Sequence, residues 1–322
     1  MEILSQLFNV YPELTALILV IIIDWLFPFP AQYSPSVFFR LLASSISSKV
    51  AQSGSQRQQT LAGFLSIIVY LFLIGSLLFS VLFISTLDVW THALLLYLSL
   101  GYQSVANINK EVKNLINKEQ NTTAKALFKN ISPFDVNKLS KLGINKLALE
   151  INIIYFVSSW LVPIVLFLFL NGIAALLYRA LFDAYLIWHP IQNKTKYFGK
   201  AIKKLIHLIE LPFCIIFAPI FSILRSSPNW FKLVSKHQEQ WQKEHIFSFH
   251  SLIWLSIISS GLKSELAGPL MVDGKKVARA RLNQAKPINE TAITELLNWL
   301  NRFRVLCLLF FTCIIIALTL NN

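Results

Sequence analysis

Residues 14–29 read LTALILVIIIDWLFPF, an apolar run that holds one carboxylate, Asp24, and leads into a proline-rich exit at Pro28, Pro30 and Pro35. A lone carboxylate at this depth costs roughly 2.5–3.5 kcal/mol on insertion scales. Asp24 should therefore face protein, water or a ligand rather than lipid. The stretch predicts a membrane-embedded protein and marks Asp24 as a candidate functional residue.

The composition extends the membrane assignment to the whole chain. Of its 322 residues, 55% are hydrophobic and only 14% are charged, whereas a soluble domain has about 25% charged residues. The net charge of +13 comes from basic residues in the loops between apolar runs, as in cytoplasmic loops of membrane proteins. We therefore expect membrane lipids as partners, and no nucleic acid.

Seven apolar stretches are candidates for crossing a hydrocarbon core of roughly 30 Å. They cover residues 14–29, 61–86, 89–103, 152–171, 173–188, 205–224 and 305–320. Asn171–Gly172 should break the long run 152–188 into a hairpin. Pro212 and Pro219 make 205–224 either a kinked crossing or a re-entrant segment.

The fold class follows from these stretches and from the loops between them. Residues 104–150 and 225–304 are basic loops, which the positive-inside rule places in the cytoplasm. Within the second loop, residues 247–262 are only marginally long enough to cross, so we expect an amphipathic or buried helix there. The sequence predicts an all-α, polytopic integral membrane protein, one domain over 1–322, with about five to seven apolar membrane segments.

Common metal and nucleotide motifs do not occur in this sequence. The histidines show no HExxH spacing, the three cysteines form no CxxC, and GxxxxGK[ST], GxGxxG and GxSxG are missing. His237, His245 and His250 share one segment with two glutamates, and a solvated helical face explains them better than a metal site. We predict no metal ligands.

Three acidic or basic positions stand out around the predicted hairpin. Arg179 and Asp183 are four residues apart in LLYRALFDAYLIWH, so they lie on one helical face. The pair either neutralises itself as a packing contact or lines a polar cavity. Glu150 begins the fourth apolar run, where it could simply complement the helix dipole.

A basic group follows two turn signals near the end of the second loop. The turns are Gly268–Pro269 and Asp273–Gly274, and a basic strand or loop should follow. The group consists of Lys275, Lys276, Arg279 and Arg281. These side chains could bind phosphate or lie on a cytoplasmic membrane surface.

Four regions, in their order along the chain, resemble the CobD/CbiB family of cobalamin-biosynthesis membrane proteins and, more distantly, the related AmpE proteins. The regions are Asp24–Trp25–Leu26 with its exit through Ser34–Pro35, KLGINKLALE at Lys141–Glu150, the segment Tyr178–Asp183, and Ser260–Gly261 through Asp273–Gly274. The resemblance covers most of the chain.

The resemblance implies an amide-forming synthase of the bacterial inner membrane. Such an enzyme joins an aminopropanol phosphate to adenosylcobyric acid, a corrinoid, at the expense of ATP, usually with Mg²⁺, and other membrane proteins of the pathway could be partners. Cationic clamps and acids would serve this chemistry. The implied catalytic residues are Asp24, Glu150 and Asp183, and the implied substrate-binding residues are Arg179, Lys275 and Lys276.

The sequence departs from the family pattern at several polar positions. The early Gly-Asp-Pro and His-Pro signature reads Phe27–Pro28–Phe29–Pro30 and Ser34–Pro35, and the Gly-Tyr after the aspartate reads Leu186–Ile187–Trp188–His189. These losses keep an alternative open: a non-enzymatic, AmpE-like membrane sensor that regulates β-lactamase induction or the response to cell-wall stress.

Overall fold

The computed structural model describes residues 12–51, 54–85, 88–129, 131–132, 134–137, 139–227, 229–243, 249–272, 275–283, 286–289 and 291–320. Helices dominate this part of the chain. They are α1 (Pro12–Leu26), α2 (Pro35–Val50), α3 (Gln56–Ile84), α4 (Asp88–Ser99), α5 (Tyr102–Asn117), α6 (Asn121–Lys129), α7 (Lys141–Phe156), α8 (Val162–Phe169), α9 (Gly172–Ile187), α10 (Lys200–Leu224), α11 (Trp230–Lys243), α12 (Phe249–Leu262) and α13 (Ala292–Leu320).

Short non-α elements complete the architecture. A π-helical turn, Val157–Leu161, joins α7 to α8, and 3₁₀ turns cover Ala31–Tyr33 and Asn193–Thr195. The strands are β1 (Leu266–Ala267), β2 (Leu270–Val272), β3 (Lys275–Val277) and β4 (Arg281–Leu282). β1 pairs antiparallel with β4, and β2 with β3. The all-α class is thus confirmed, with a small strand region where a basic strand or loop was expected; Asp273–Gly274 lie outside the described residues.

Four helices in the described ranges are long and apolar enough to cross a membrane, and the protein is a multi-pass membrane protein. They are Gln56–Ile84, Lys141–Phe169, Lys200–Leu224 and Ala292–Ile314. The predicted spans near 14–29, 89–103 and 173–188 form helices of 15, 12 and 16 residues. A membrane crossing takes roughly 20 helical residues. That these three shorter helices cross the membrane therefore stays a prediction.

The helix Lys141–Phe169 lies at the centre of the molecule. In this helix 83% of the most apolar window is buried, against 22% for α3. α3 instead exposes large apolar side chains such as Phe72 and Phe79. In a bilayer those side chains contact lipid, so α3 lies at the periphery and the central helix among protein neighbours.

The prolines of α10 do not interrupt it. The helix runs through Pro212 and Pro219 over 25 residues, whereas a re-entrant segment would have to turn back within the membrane. The helix is long and apolar enough to cross, but the choice between a crossing and a re-entrant segment for 205–224 stays a prediction.

The prediction of a buried helix in residues 247–262 is confirmed, because ten residues of α12 are buried. His250 is among them, so the expectation of a solvated helical face is wrong for this residue. His237 lies half-buried on α11, and His245 lies outside the described residues.

The break predicted at Asn171–Gly172 is observed at the start of α9. The Asn171 side chain caps the helix by accepting a hydrogen bond from the Ala174 amide at 3.0 Å. A Cβ on Gly172 would lie 2.2 Å from the carbonyl oxygen of His92 on α4. Glycine therefore permits the close approach of α9 to α4.

Large side chains fix α9 against α2 and α3. The Tyr70 hydroxyl of α3 lies 3.2 Å from the Phe39 carbonyl oxygen and 3.0 Å from that of Ala180. The Trp188 indole donates a hydrogen bond to the Ala43 carbonyl at 2.8 Å. Because these bonds join three helices, they set the direction in which the charged face of α9 points.

Two glycines of α3 test this packing. A Cβ on Gly63 would lie 2.0 Å from the Phe198 carbonyl oxygen, whereas a Cβ on Gly75 meets nothing within 4 Å. We expect Gly63→Ala to lower the free energy of unfolding by about 1–3 kcal/mol through overpacking. Gly75→Ala should be neutral or stabilising by up to about 1 kcal/mol. Unfolding in detergent measures both variants, and equal destabilisation would contradict the packing of α3 described above.

Candidate functional site

The Asp183 carboxylate holds two arginines from different helices. Its side chain is fully buried; Arg40 Nε of α2 donates to Oδ1 at 2.8 Å, and Arg179 Nε of α9 donates to Oδ2 at 3.0 Å. The spacing of Arg179 and Asp183 predicted the second contact. One carboxylate between two guanidinium groups leaves this cluster with an excess positive charge.

Arg179 retains a hydrogen-bond donor that the described residues do not satisfy. Its Nε and Nη2 donate to the Ser36 hydroxyl at 3.1 and 2.8 Å. Its Nη1 is buried and has no partner among the described residues. A Cβ on Gly101 would lie 2.6 Å from Nη1, so the glycine leaves space beside this donor. An unsatisfied buried guanidinium N–H is suited to receive an anion.

Arg40 is held from its other side by a tyrosine. Its Nη2 lies 3.3 Å from the Tyr155 hydroxyl, which itself lies 3.1 Å from the Ile131 carbonyl oxygen. Burial opposes the charge of Arg40, but contact with Tyr155 and Asp183 outweighs it and raises the pKa of the guanidinium. Arg40 therefore stays a cation at any physiological pH.

These arginines line a cavity of about 490 Å³, which we call the anion cavity. Its mouth lies at the exposed segment Pro30–Gln32. The remaining polar lining comes from Ser34, Ser36, Ser104 and Tyr155. Two cations with several hydroxyls suit a phosphate or carboxylate ligand. Asp183 lies behind the arginines and positions them.

Asp24 forms a separate buried ion pair. Arg304 of α13 donates from Nη2 to Asp24 Oδ2 at 3.0 Å and from Nη1 to the Gln103 side chain. The guanidinium also lies 5.5 Å from the ring centroids of Trp25 and Trp160. As expected for a carboxylate in an apolar run, Asp24 faces protein. Its contacts join α1, α5 and α13, and it does not line the anion cavity.

Glu150 is occupied by a bidentate contact with Arg279. The two guanidinium nitrogens Nη1 and Nη2 donate to the two carboxylate oxygens at 2.8 and 2.7 Å. The Ala267 amide donates to Oε1 at 3.1 Å, and Arg279 Nε donates to the Gly268 carbonyl at 2.9 Å. This network attaches the strand region to α7. Arg279 is buried here, so placing it on phosphate or on a membrane surface was wrong.

The other predicted substrate-binding residues lie in β3. Lys276 is exposed, opposite Met271 of β2. The backbone of Lys275 pairs with Val272, and its side chain is outside the described set. The structure thus brings Arg179 and Asp183 together and places Asp24 and Glu150 in their own ion pairs. The catalytic roles assigned to the three acids stay predictions.

Sequence reasoning missed Arg40 and Ser36 as site residues. Both lie on α2, whose first turn holds Pro35 and is capped by the Ser34 side chain, which accepts from the Ser36 amide at 3.3 Å. The available signal was a single arginine within the apolar stretch VFFRLLA that follows this start signal. Its partner Asp183 is 143 residues away in the chain, so no local pattern could have paired them.

A scan against protein-family models places the site in a known group. The model described as CobD/Cbib protein matches residues 17–300. The chain belongs to the CobD/CbiB family. This membership assigns it to cobalamin biosynthesis, and the matched range includes the whole Arg40–Asp183–Arg179 cluster of this CobD/CbiB protein. Searches of curated proteins and of solved structures each found no significant match.

The Glu150–Arg279 contact yields a test that separates packing from catalysis. We expect Glu150→Gln to lower the free energy of unfolding by about 3–5 kcal/mol, because Arg279 then stays buried without its counter-charge. The double change Glu150→Leu with Arg279→Met should recover most of that loss. Unfolding in detergent measures both.

Glu239→Gln, at an exposed position of α11, is the control and should leave stability unchanged. A Glu150→Gln protein of wild-type stability that makes no amide product would contradict the packing role and support the catalytic one.

Proposed function

We propose that this protein forms an amide bond between aminopropanol phosphate and a carboxylate of adenosylcobyric acid, at the expense of ATP, to give adenosylcobinamide phosphate. The observation that carries the proposal is the anion cavity, with two arginines on one carboxylate and one buried donor, Arg179 Nη1, unsatisfied among the described residues. The alternative non-enzymatic role gives no reason for an excess buried cation beside a cavity.

The charge of the cluster favours a phosphate group. Arginine presents a planar fork of donors that matches phosphate and carboxylate oxygens. Arg40 and Arg179 are held in place by Asp183, so little side-chain freedom is lost when an anion binds. Charge-assisted hydrogen bonds of this kind are stronger than neutral ones. The arginines would bind the phosphate, and Ser34 and Ser104 the remaining polar atoms of the substrate.

The size of the cavity indicates how the two substrates divide the site. A volume of about 490 Å³ lies in the range of cavities for small ligands, about 300–1,000 Å³. It accommodates an amino alcohol phosphate, whereas a corrin ring with its substituents is far larger. The corrinoid would thus lie outside the mouth at Pro30–Gln32 and extend one carboxylate arm inward.

The residues of the anion cavity fit a phosphate group better than a metal ion. Bound ATP would supply the phosphoryl group that activates the carboxylate, and its phosphates would be held outside the pair Arg40 and Arg179, which binds the aminopropanol phosphate. The described residues contain no group of three or more His, Cys, Asp or Glu side chains placed for a metal. Asp183 is already engaged by both arginines. We therefore assign no Mg²⁺ ligand.

The cell compartment belongs to the same proposal. The CobD/CbiB family and the apolar spans support a bacterial inner membrane, with basic loops toward the cytoplasm, where ATP is available. The cavity then opens to a cytoplasmic corrinoid, and other membrane proteins of the pathway could deliver it.

Complementation tests the activity directly. The protein is expressed in a bacterium that lacks its own cobinamide-forming synthase and receives cobyric acid as the sole corrinoid. We expect growth, because the amide product restores the pathway; cells fed cobinamide are the positive control. With membrane expression verified, no growth on cobyric acid would overturn the synthase assignment and favour the AmpE-like alternative.

Substitution of Arg40 tests the site. Arg40→Gln should raise the KM for aminopropanol phosphate by roughly 10–100-fold, since a charged hydrogen bond is worth about 1.5–3 kcal/mol. Arg40→Lys should be intermediate, because it keeps the charge without the fork. Arg57→Gln, an exposed position on α3, is the matched control.

The assay is amide formation by purified protein in detergent at varied substrate concentrations. An Arg40→Gln protein with the wild-type KM would remove the anion cavity from the mechanism.

A further inference from the structure

The first turn of α5 faces the anion cavity and has no side-chain cap. The helix begins at Tyr102, and its N-cap residue, Gly101, brings no side-chain hydrogen bond to the first amides. Gly101 and Ser104 both line the cavity. Because the first N–H groups of an α-helix have no partner within the helix, the amides of Tyr102, Gln103 and Ser104 need an acceptor from outside it.

Two hydrogen bonds hold this turn in position. The Gly101 amide donates to the Ser159 carbonyl of the π-helical turn at 3.1 Å, and the Ser104 hydroxyl donates to the Phe29 carbonyl at 2.8 Å. The first bond attaches the start of α5 to the central helix, and the second attaches it to the proline-rich segment near the mouth of the cavity. The turn is therefore ordered before any ligand binds, which lowers the entropic cost of binding.

The guanidinium group of Arg179 lies directly against this helix start. A Cβ on Gly101 would lie 2.6 Å from Nη1 and 2.8 Å from Nη2 of Arg179. Arg179 is only 4% exposed, and its Nη1 has no partner among the described residues. An unpaired, buried donor thus lies beside the uncapped helix start, and both line the same cavity.

The charges at the start of α5 are not balanced by the protein. A helix N-terminus carries about +0.5 elementary charge, and the first turn of α5 contains no acidic residue. Arg40 and Arg179 share the single carboxylate of Asp183, which leaves one excess positive charge. The helix end and the arginine cluster together present about +1.5 charges to the cavity.

A further arginine near this turn does not change that balance. Arg304 donates to the side chain of Gln103, and its charge is matched by Asp24 at 3.0 Å. Neither Gln103 nor Asp24 lines the anion cavity. The excess positive charge beside Gly101 therefore remains available to a ligand.

We propose that the N-terminus of α5 and Nη1 of Arg179 together form a subsite for the dianion of a phosphate monoester; this inference rests on the proposed amide-forming function, in which the amine substrate carries a phosphate. A phosphate monoester has a charge of about −1.5 to −2 at pH 7, which matches the charge that the cavity presents. Backbone amides at a helix N-terminus and a guanidinium group are both donors to phosphate oxygens.

The subsite gives a physical reason for selecting the phosphorylated amino alcohol. An amino alcohol without phosphate is a cation at neutral pH, and the excess positive charge repels it. A carboxylate or a phosphate diester has one negative charge and would leave part of the positive charge uncompensated. Gly101 contributes by its lack of a side chain, because a Cβ would occupy the space beside Nη1.

The test adds a negative charge to the first turn of α5. Ser104 is the third residue of this helix, a position where an acidic residue normally stabilises a helix. Ser104→Asp should therefore fold normally and repel phosphate, whereas Ser104→Asn makes the same change of size without the charge. We expect the Kd for inorganic phosphate to be at least about tenfold higher in Ser104→Asp than in Ser104→Asn. Isothermal titration calorimetry on purified protein in detergent measures both.

Two further variants control for charge and for size. Thr123→Asp adds the same charge to the third residue of α6, an exposed position that does not line the cavity, and should keep the wild-type Kd. Gly101→Ala should weaken phosphate binding, because its Cβ displaces Nη1, whereas Gly75→Ala should not. Thermal unfolding shows which variants are folded. If a Ser104 variant fails to fold, the comparison of Gly101→Ala with Gly75→Ala decides the question in the same way.

The charge of the ligand separates a phosphate monoester from a lipid headgroup. Calorimetry at about pH 8, where inorganic phosphate is mostly a dianion, compares it with dimethyl phosphate, a monoanionic diester that has the chemistry of a phospholipid headgroup. We expect dimethyl phosphate to bind at least about tenfold more weakly. Equal affinity for the two anions would overturn the monoester subsite and favour a lipid phosphate.

Failure of the subsite and failure of the proposed function give different results. Equal phosphate affinity in Ser104→Asp and Ser104→Asn, or no phosphate binding by the wild type, would overturn the subsite even in a protein that forms the amide. Phosphate binding that differs between the two variants, in a wild type that forms no amide, would refute the amide-forming function and leave the phosphate subsite standing.

Discussion

The Asp183 carboxylate between two guanidinium groups is the interaction on which the functional site depends. In a low-dielectric interior an unpaired charge is strongly destabilising, so the buried Arg179 needs an anion beside it. The same carboxylate also holds the partly exposed Arg40. Asp183 meets this need with one oxygen for each arginine. The two guanidinium groups exceed the single carboxylate by one positive charge. Both arginines line the anion cavity, whereas Asp183 does not.

The same constraint organises the rest of the interior. Asp24 with Arg304, Glu150 with Arg279 and Glu210 with His250 are buried pairs that connect segments far apart in the chain. Each pair replaces water with protein donors, so each acts as a cross-link between helices. The Asp183 cluster differs from these pairs because it has two cations for one carboxylate. This difference is the reason for proposing the Asp183 cluster, rather than one of the other buried acids, as the place where an anion binds.

Membership of the CobD/CbiB family gives this geometry a chemical context. In the amide-forming reaction that we propose, the substrates are a phosphorylated amino alcohol and a corrinoid carboxylate, and the charge and size of the anion cavity suit the smaller of them. The polar positions lost from the family signature lie at Phe27–Pro30, Ser34–Pro35 and Leu186–His189, and Phe29, Pro30 and Ser34 line the anion cavity. The changes at Phe27–Pro30 remove no charge from the arginine cluster, because Arg40 lies on α2 and Arg179 on α9.

The sequence by itself determined the membrane class, most helix positions, the break at Asn171–Gly172 and the alignment of Arg179 with Asp183. All of these depend on hydropathy or on contacts within about one helical turn. Only the tertiary structure decided that Arg40 completes the site and that Arg304 neutralises Asp24, partners 143 and 280 residues apart. A chain with 29 Lys and Arg residues against 16 Asp and Glu residues offers each acid a choice of cations, and helix packing rather than local sequence selects which one lies within hydrogen-bond distance.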